Sequence, residues 1–309
     1  MKQKKLLDRI IKFLIFAILI IYALSMTLLL LWGFITSLKS DIDFTIMGNR
    51  ILLPSTEWSK NELLFFNYRL FFESVKELPP LRTFFYTGNR LVSHETNVTF
   101  LAMVINTVLY AGGGAVLSTM ASCIVGYLVA KFKFRFSKFV YGFALTIMII
   151  PVVGSYPSML AVLRTLGVYD TYFTHVLQKF TFGGMYFFVF VAFFEGMSDA
   201  YFEAAEIDGA SQMKIFTHIA IPLAIKIIST VMLIHFVSYW NDYSSPMIYT
   251  PTLPTLATGI SLVINEYIVL ADIPSQCAAC MTLAIPILLI FIFFNDKLMG
   301  NISMGGIKE

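Results

Sequence analysis

The sequence is poor in charge. Asp, Glu, Lys and Arg make up 13% of its 309 residues, about half the share of an ordinary soluble domain. So few ionic side chains cannot cover a water-facing surface, which excludes a soluble globular enzyme and a disordered protein. Cysteine is scarce too: Cys123, Cys277 and Cys280 give no disulfide framework for a secreted scaffold. Cys277-Ala-Ala-Cys280 has the CxxC spacing but neither a second pair nor a nearby histidine. It reads as two small packing residues on one helix face. The four histidines, His94, His175, His218 and His235, are scattered. No HExxH, no Walker A loop and no GxGxxG after a strand is present, so the residues signal no metal, no cofactor and no nucleotide site. The chain is expected not to be an enzyme. A net charge of +3 does not point to nucleic acid.

What is there is apolar. Hydrophobic residues reach 58%, with 30 Phe, and the mean hydropathy is +0.77. That excess needs lipid as solvent, where only a helix satisfies its own backbone at this composition. A hydrocarbon core of ~30 Å takes about 20 apolar residues. The expectation is an all-α membrane protein, one transmembrane domain over 1–309 with six helices. The spans are placed at 13–37, 100–130, 139–163, 178–197, 221–247 and 273–295. The fourth is the weakest: only Phe180 to Phe194 is free of charge, so Lys179 or Glu195 must be included and snorkel to the interfaces. The basic start fits a signal peptide, but the apolar run is far longer than the ~7–15 residues of such a segment. An uncleaved signal-anchor helix is the reading.

The basic residues mark topology. Residues 1–12 carry Lys2, Lys4, Lys5, Arg9 and Lys12; the turn after the second span carries Lys131, Lys133, Arg135 and Lys138; the segment 198–220 carries Lys214. Residues 248–272 hold no Lys or Arg. The positive-inside rule therefore places both termini in the cytoplasm, including the tail 296–309 with Lys297 and Lys308. Segment 38–99 then lies outside. Pro54, Pro79-Pro80 and Gly88-Asn89 divide it. Its runs Leu63-Leu64-Phe65-Phe66 and Leu70-Phe71-Phe72 are too apolar for a solvated tail, so it is expected to fold back on the outer membrane face or to pack on a partner. Asn97-Val-Thr99 is a glycosylation sequon in form alone.

The informative segment is 198–220. Ser198 or Asp199 can cap a short helix, Ala200 to Ile207 are mostly helix formers, Asp208-Gly209 supplies a turn, and Ser211 can cap a second helix before Pro222. Ala204, Ala205, Gly209 and Ala210 are small enough to let another protein's backbone come close.

This segment resembles the EAA loop of ABC importer permeases. That pattern is E-A-A, three residues, G, nine residues, then I-x-L-P. Glu203-Ala204-Ala205, Gly209 and Ile219-Ala220-Ile221-Pro222 fall at those offsets, with Ile221 replacing Leu. The likeness extends to the carbohydrate-uptake, MalG-like permeases. Leu38-Lys-Ser40, Asn106-Thr107, Ala130-Lys-Phe-Lys-Phe134, Leu166-Gly-Val-Tyr-Asp-Thr171, Ile207-Asp-Gly-Ala210, Trp240-Asn-Asp242 and Met304-Gly-Gly-Ile-Lys308 are similar to that family's short motifs. The segment before the second span is the least matched.

The resemblance implies a type I importer permease in the bacterial cell membrane. Its implied partners are a second, MalF-like permease, two ABC ATPase subunits, an extracytoplasmic solute-binding protein, a sugar, and membrane lipid. It places ATPase coupling on Glu203, Ala204, Ala205, Asp208, Gly209, Ala210, Phe216 and Pro222. Asn106, His235, Trp240, Asn241 and Asp242 are candidates for the translocation path. His235 falls near mid-bilayer, where an ionisable residue marks a pathway by default; a neutral His bonded to a neighbouring helix is the alternative. Trp240 either stacks on a sugar or belongs to the aromatic belt, and Asp242 is expected near the outer interface. Gly112-Gly-Gly114 and Gly126 suggest close helix packing. A permease for phosphoglycerol or a peptide, or a secondary transporter, is the competing reading.

Overall fold

Helix α1 runs over Lys2–Ser37. Its residues from Phe13 to Leu31 are almost all exposed apolar side chains, as a lipid-facing helix requires. The computed structural model describes residues 2–54, 65–76, 80–87, 90–132, 134–150, 154–265 and 272–299. Leu63-Leu64, Pro79, Gly88-Asn89, Lys133 and Met304–Lys308, singled out above, lie outside them.

After α1 come α2 (Phe66–Lys76) and an antiparallel hairpin of β1 (Leu81–Thr87) and β2 (Arg90–Thr96), paired Leu81↔Thr96 through Thr87↔Arg90. The β-forming run Thr83-Phe-Phe-Tyr-Thr87 explains the strands. Thr99 caps α3, accepting the Ala102 N–H at 3.2 Å, so the threonine of the formal sequon has a structural task. Helix α3 spans Phe100–Lys131 and widens to a π turn over Val108–Gly113. Then follow α4 (Arg135–Ile149), α5 (Ser155–Thr165), α6 (Tyr172–Lys179), α7 (Met185–Glu195) and α8 (Ala200–Ile207). Helix α9 is continuous over Gln212–Trp240, with a π turn at Phe216–Ala220. Pro222 cannot donate to the His218 carbonyl one turn back, and the helix widens there. The chain ends with α10 (Ser244–Tyr249), α11 (Leu256–Asn265) and α12 (Ile273–Met299).

The described chain is thus mostly helical. Helices α1, α3, α9 and α12 are each long and apolar enough to cross a membrane, and α7 with α8 would make a fifth crossing only if that pair, bent by 68°, counted as one. The stretch expected as the third span is two helices, α4 and α5. Packing divides the chain into two compact units: residues 1–77 with 262–286, and residues 78–261 with 287–309.

In the first unit the exit of α1 is held by a buried polar knot. Asn67 donates to the carbonyls of Ser37 (2.8 Å) and Lys39 (2.7 Å), Ser275 donates to Asn67, and the Lys39 ammonium donates to the Asn49 carbonyl at 2.8 Å. In the second unit α3 packs along α7 and α9. A Cβ at Gly126 would stand 2.8 Å from the Phe190 Cβ, so only glycine permits that approach. Gly114 faces Tyr239 and Lys179 closely, whereas Gly112 and Gly113 meet nothing within 4 Å. The close-packing expectation therefore holds for Gly114 and Gly126 and is corrected for the other two.

Candidate functional site

The site is built at the two ends of α3 and α9. At one end lies the loop with the Glu203-Ala-Ala pattern. Helix α8 stops at Gly209, whose φ of +76° is left-handed. The Ala210 N–H reaches back to the Ala205 carbonyl (2.9 Å) and the Gly209 N–H to that of Glu206 (3.0 Å). This is a Schellman end, and glycine is the residue that takes it without strain. A Cβ at Gly209 would meet open space; glycine is needed here for its backbone. Ser211 accepts the Lys214 N–H at 3.4 Å and caps the next turn. Gln212 donates to Glu206 at 2.6 Å, stapling α8 to α9.

The loop shows its outer face to the surroundings. Glu203, Ala204, Asp208 and Gly209 are exposed, and two apolar side chains project outward, Ile207 at 87% and Met213 at 71% exposure. Ala205, Ala210 and Phe216 face the other way, onto the core around Tyr127, Phe194 and Phe202. The Tyr127 ring lies 4.7 Å from that of Phe216 and 5.3 Å from that of Phe194. Asp199 does not cap α8. Its carboxylate takes the Lys131 ammonium at 2.7 Å, which also donates to the Met197 carbonyl and sits 4.4 Å above the Phe202 ring. The last residue of α3 thus holds the start of the loop.

At the other end the helices meet in a buried polar cluster. Tyr110, on the π turn of α3, donates to Asp242 at 2.6 Å. The Lys179 ammonium lies 3.7 Å from the same carboxylate, between the rings of Tyr239 (4.0 Å) and Tyr110 (4.7 Å). Lys179 therefore turns into the protein, where the expectation was that it snorkels. A buried cation needs a counter-charge, and the two ring faces add their quadrupoles. Ser118 completes the cluster, donating to the Lys179 carbonyl at 2.6 Å and sharing a 2.8 Å bond with the Tyr239 hydroxyl. Asp242 also accepts the Ser245 N–H at 3.0 Å.

Other residues picked from the sequence lie around this cluster. His235 is held between the rings of Tyr186 (4.7 Å) and Tyr239 (5.5 Å), and its Nε2 has no hydrogen-bond partner among the described residues. Trp240 is buried against Phe236. Asn241 is exposed and donates to the Val237 carbonyl at 2.8 Å. Asn106 is buried. Its amide donates to the Pro254 carbonyl at 3.1 Å and accepts from the Tyr172 hydroxyl at 2.8 Å, while Thr107 accepts the Leu256 N–H. Asp170, itself at a φ of +59°, accepts from the Thr252 N–H and hydroxyl. These three residues fix segment 250–256. Sequence reasoning missed Tyr110, Ser118, Lys179 and Tyr239 as a group. The available signal was Lys179 at the edge of the span too short to cross alone.

An open apolar groove of about 430 Å³ lies between α3 and α9, lined by Gly112, Ala115, Val116, Met232 and Phe236 with Ser229 as its one hydroxyl. It offers a polyol too few hydrogen-bond partners to be its binding site. Among the described residues no group of His, Cys, Asp and Glu can hold a metal ion.

Comparison with known proteins gives the family and the fold. Residues 122–301, which include the whole Glu203–Pro222 loop, match the family described as binding-protein-dependent transport system inner membrane component. The chain is 26% identical over 195 residues to an arabinooligosaccharide transport permease of Halalkalibacterium halodurans, covering 62% of this chain and 69% of that one. It is 26% identical over 211 residues to a melibiose, raffinose and stachyose import permease of Bacillus subtilis, covering 66% and 75%. With a sulfoquinovosyl glycerol transport permease of Agrobacterium fabrum it shares 21% over 282 residues, 90% and 87% of the two chains. The fold is similar, at a TM-score of 0.68 and 21% identity over 96% of this chain and 98% of the other, to a bacterial ABC transporter involved in the import of the acidic polysaccharide alginate. The matched family covers more than half the sequence and contains the loop just described: the chain belongs to the binding-protein-dependent transport system inner membrane components.

Proposed function

We propose that the chain is the permease subunit of an ATP-driven importer for a sugar or oligosaccharide, forming half of the translocation path. The exposed loop around Gly209 carries this reading. Its turn is braced by backbone hydrogen bonds, it is held to α3 by Lys131 and continuous with α9, and Ile207 and Met213 are exposed on it. The loop is the seat of the ATPase subunits, and a second permease and an extracytoplasmic solute-binding protein complete the assembly. ATP-driven closure moves the loop, and α9 carries that displacement to the cluster at Asp242, a two-state element biased from distant sites. The saccharide names of the relatives favour a sugar over a peptide or a phosphodiester.

Six crossings with both termini inside fit the basic clusters: α1, α3, α4 with α5, α7 extended by its flanks, α9 and α12. Glu203 and Glu206, both exposed on α8, support reading that helix as lying outside the lipid. Arg135→Cys, at an exposed position, is expected to resist a membrane-impermeant thiol reagent added outside intact cells; labelling there would reject the orientation. In proteoliposomes holding the full transporter, binding protein loaded with a neutral oligosaccharide is expected to raise ATP hydrolysis severalfold. Stimulation by a peptide or a phosphodiester instead would reject the sugar.

A further inference from the structure

We infer that the turn of residues 46–53, just beyond α1, is an interfacial anchor embedded in the outer edge of the lipid bilayer. Its side chains are unusual for a loop. Ile46, Met47, Ile51, Leu52 and Leu53 are exposed, Ile46 at 76% and Ile51 at 79%. They are held out by a rigid backbone. The Asn49 side chain donates to the Leu53 carbonyl (2.9 Å) and accepts the Leu52 N–H (3.1 Å). Asn49 also donates to the buried Asp43, and its carbonyl takes the buried Lys39 ammonium. Gly48 supplies a left-handed φ of +68°. A free loop with five large apolar residues would collapse onto its own protein; this one is braced to present them.

The depth of the turn follows from one hydrogen bond. The Trp32 indole N–H donates to the Arg50 carbonyl at 2.7 Å. Charge-free helix begins at Phe13, right after Lys12. Trp32 stands nineteen residues later, about 28 Å along the axis, which is close to the ~30 Å thickness of the hydrocarbon layer. The indole therefore marks the far boundary of that layer, where Trp is enriched. The chain goes on to Ser37 and then returns, so the Arg50 carbonyl lies at the level of Trp32, not above the helix exit. At that level the exposed apolar side chains meet acyl chains, and the exposed Arg50 side chain is placed among lipid phosphates. A protein cover is disfavoured because α1 beside it is itself exposed and apolar on nearly every face, a continuous lipid-facing surface.

The inference rests on α1 being a membrane span and not on the cargo. The test uses the full transporter in nanodiscs, with the three native cysteines replaced by alanine and import retained. An environment-sensitive fluorophore is attached at Leu52→Cys or, as a depth control, at Ile20→Cys. For Leu52 the expectation is blue-shifted emission, quenched at least threefold more by a nitroxide on the upper acyl chain than by iodide. Strong iodide quenching with no effect of the lipid nitroxide would overturn the anchor. Protection from both quenchers would also overturn it, in favour of a protein cover. If the Ile20 control is itself open to iodide, then the span reading fails, and the anchor with it.

Discussion

The two ends of the α3–α9 pair solve opposite problems. At the loop end the polar groups serve a backbone shape, and side chains such as Ile207, Met213 and Glu203 are left on display. At the Asp242 end the polar groups are turned inward: Tyr110, Ser118, Lys179, Tyr239 and Asp242 contact one another. The contrast separates an exposed surface from a buried joint. Changes at the joint should be felt as stability, and changes at the display surface as transport.

The sharpest way to break this contrast is at the joint. Lys179→Ala leaves Asp242 buried without its cation, at a cost of about 3 kcal/mol. The transporter in detergent is expected to melt many degrees lower by size-exclusion thermostability. Lys179→Met combined with Asp242→Asn removes both charges and is expected to recover more than half of that loss. If the pair melts no higher than the single variant, the two groups do not act as a couple.

At the display end the expected loss is in uptake. Gly209→Asp strains a left-handed backbone by about 1 kcal/mol and adds bulk and charge on the outer face. Import is expected to be abolished, with expression, melting and solute capture near the wild type. Glu203→Lys is expected to behave likewise with a smaller loss. Normal import by Gly209→Asp would remove the loop from the coupling role.

The smallest effect tests the link between the ends. Lys131→Met loses the Asp199 pair, one carbonyl bond and the contact with Phe202. Asp199 is 64% exposed, so the pair itself is worth about 1 kcal/mol or less. Melting is expected to fall slightly while import per ATP hydrolysed drops severalfold. An unchanged ratio would mean that Lys131 only supports the fold.

Much of this was legible beforehand, for reasons that differ by region. Long apolar runs marked α1, α3, α9 (with Lys226 near one end) and α12, because lipid imposes length and composition together. The Gly209 turn was legible because a left-handed backbone leaves few residue choices. The break between α4 and α5 was not, since a span that divides stays apolar on both sides. Nor was the inward turn of Lys179: a lysine at the end of a short span reads as snorkelling unless its distant partners are known, and Asp242 is far along the chain. Asn106 carried a motif, but its bonds to the Pro254 carbonyl and the Tyr172 hydroxyl join segments far apart in the chain and left no local signal.

Helix α9 has one more consequence. It runs unbroken through 29 residues from Gln212 to Trp240, a rod of about 43 Å. Tilted as a rod by about 10° around its midpoint, it would sweep each tip by about 4 Å in opposite senses. The π turn at Phe216–Ala220 lies near the loop tip, and the Lys179–Asp242 contact lies at the other. A rotation of that size about the midpoint is thus large enough, at the far tip, to part an ammonium from a carboxylate.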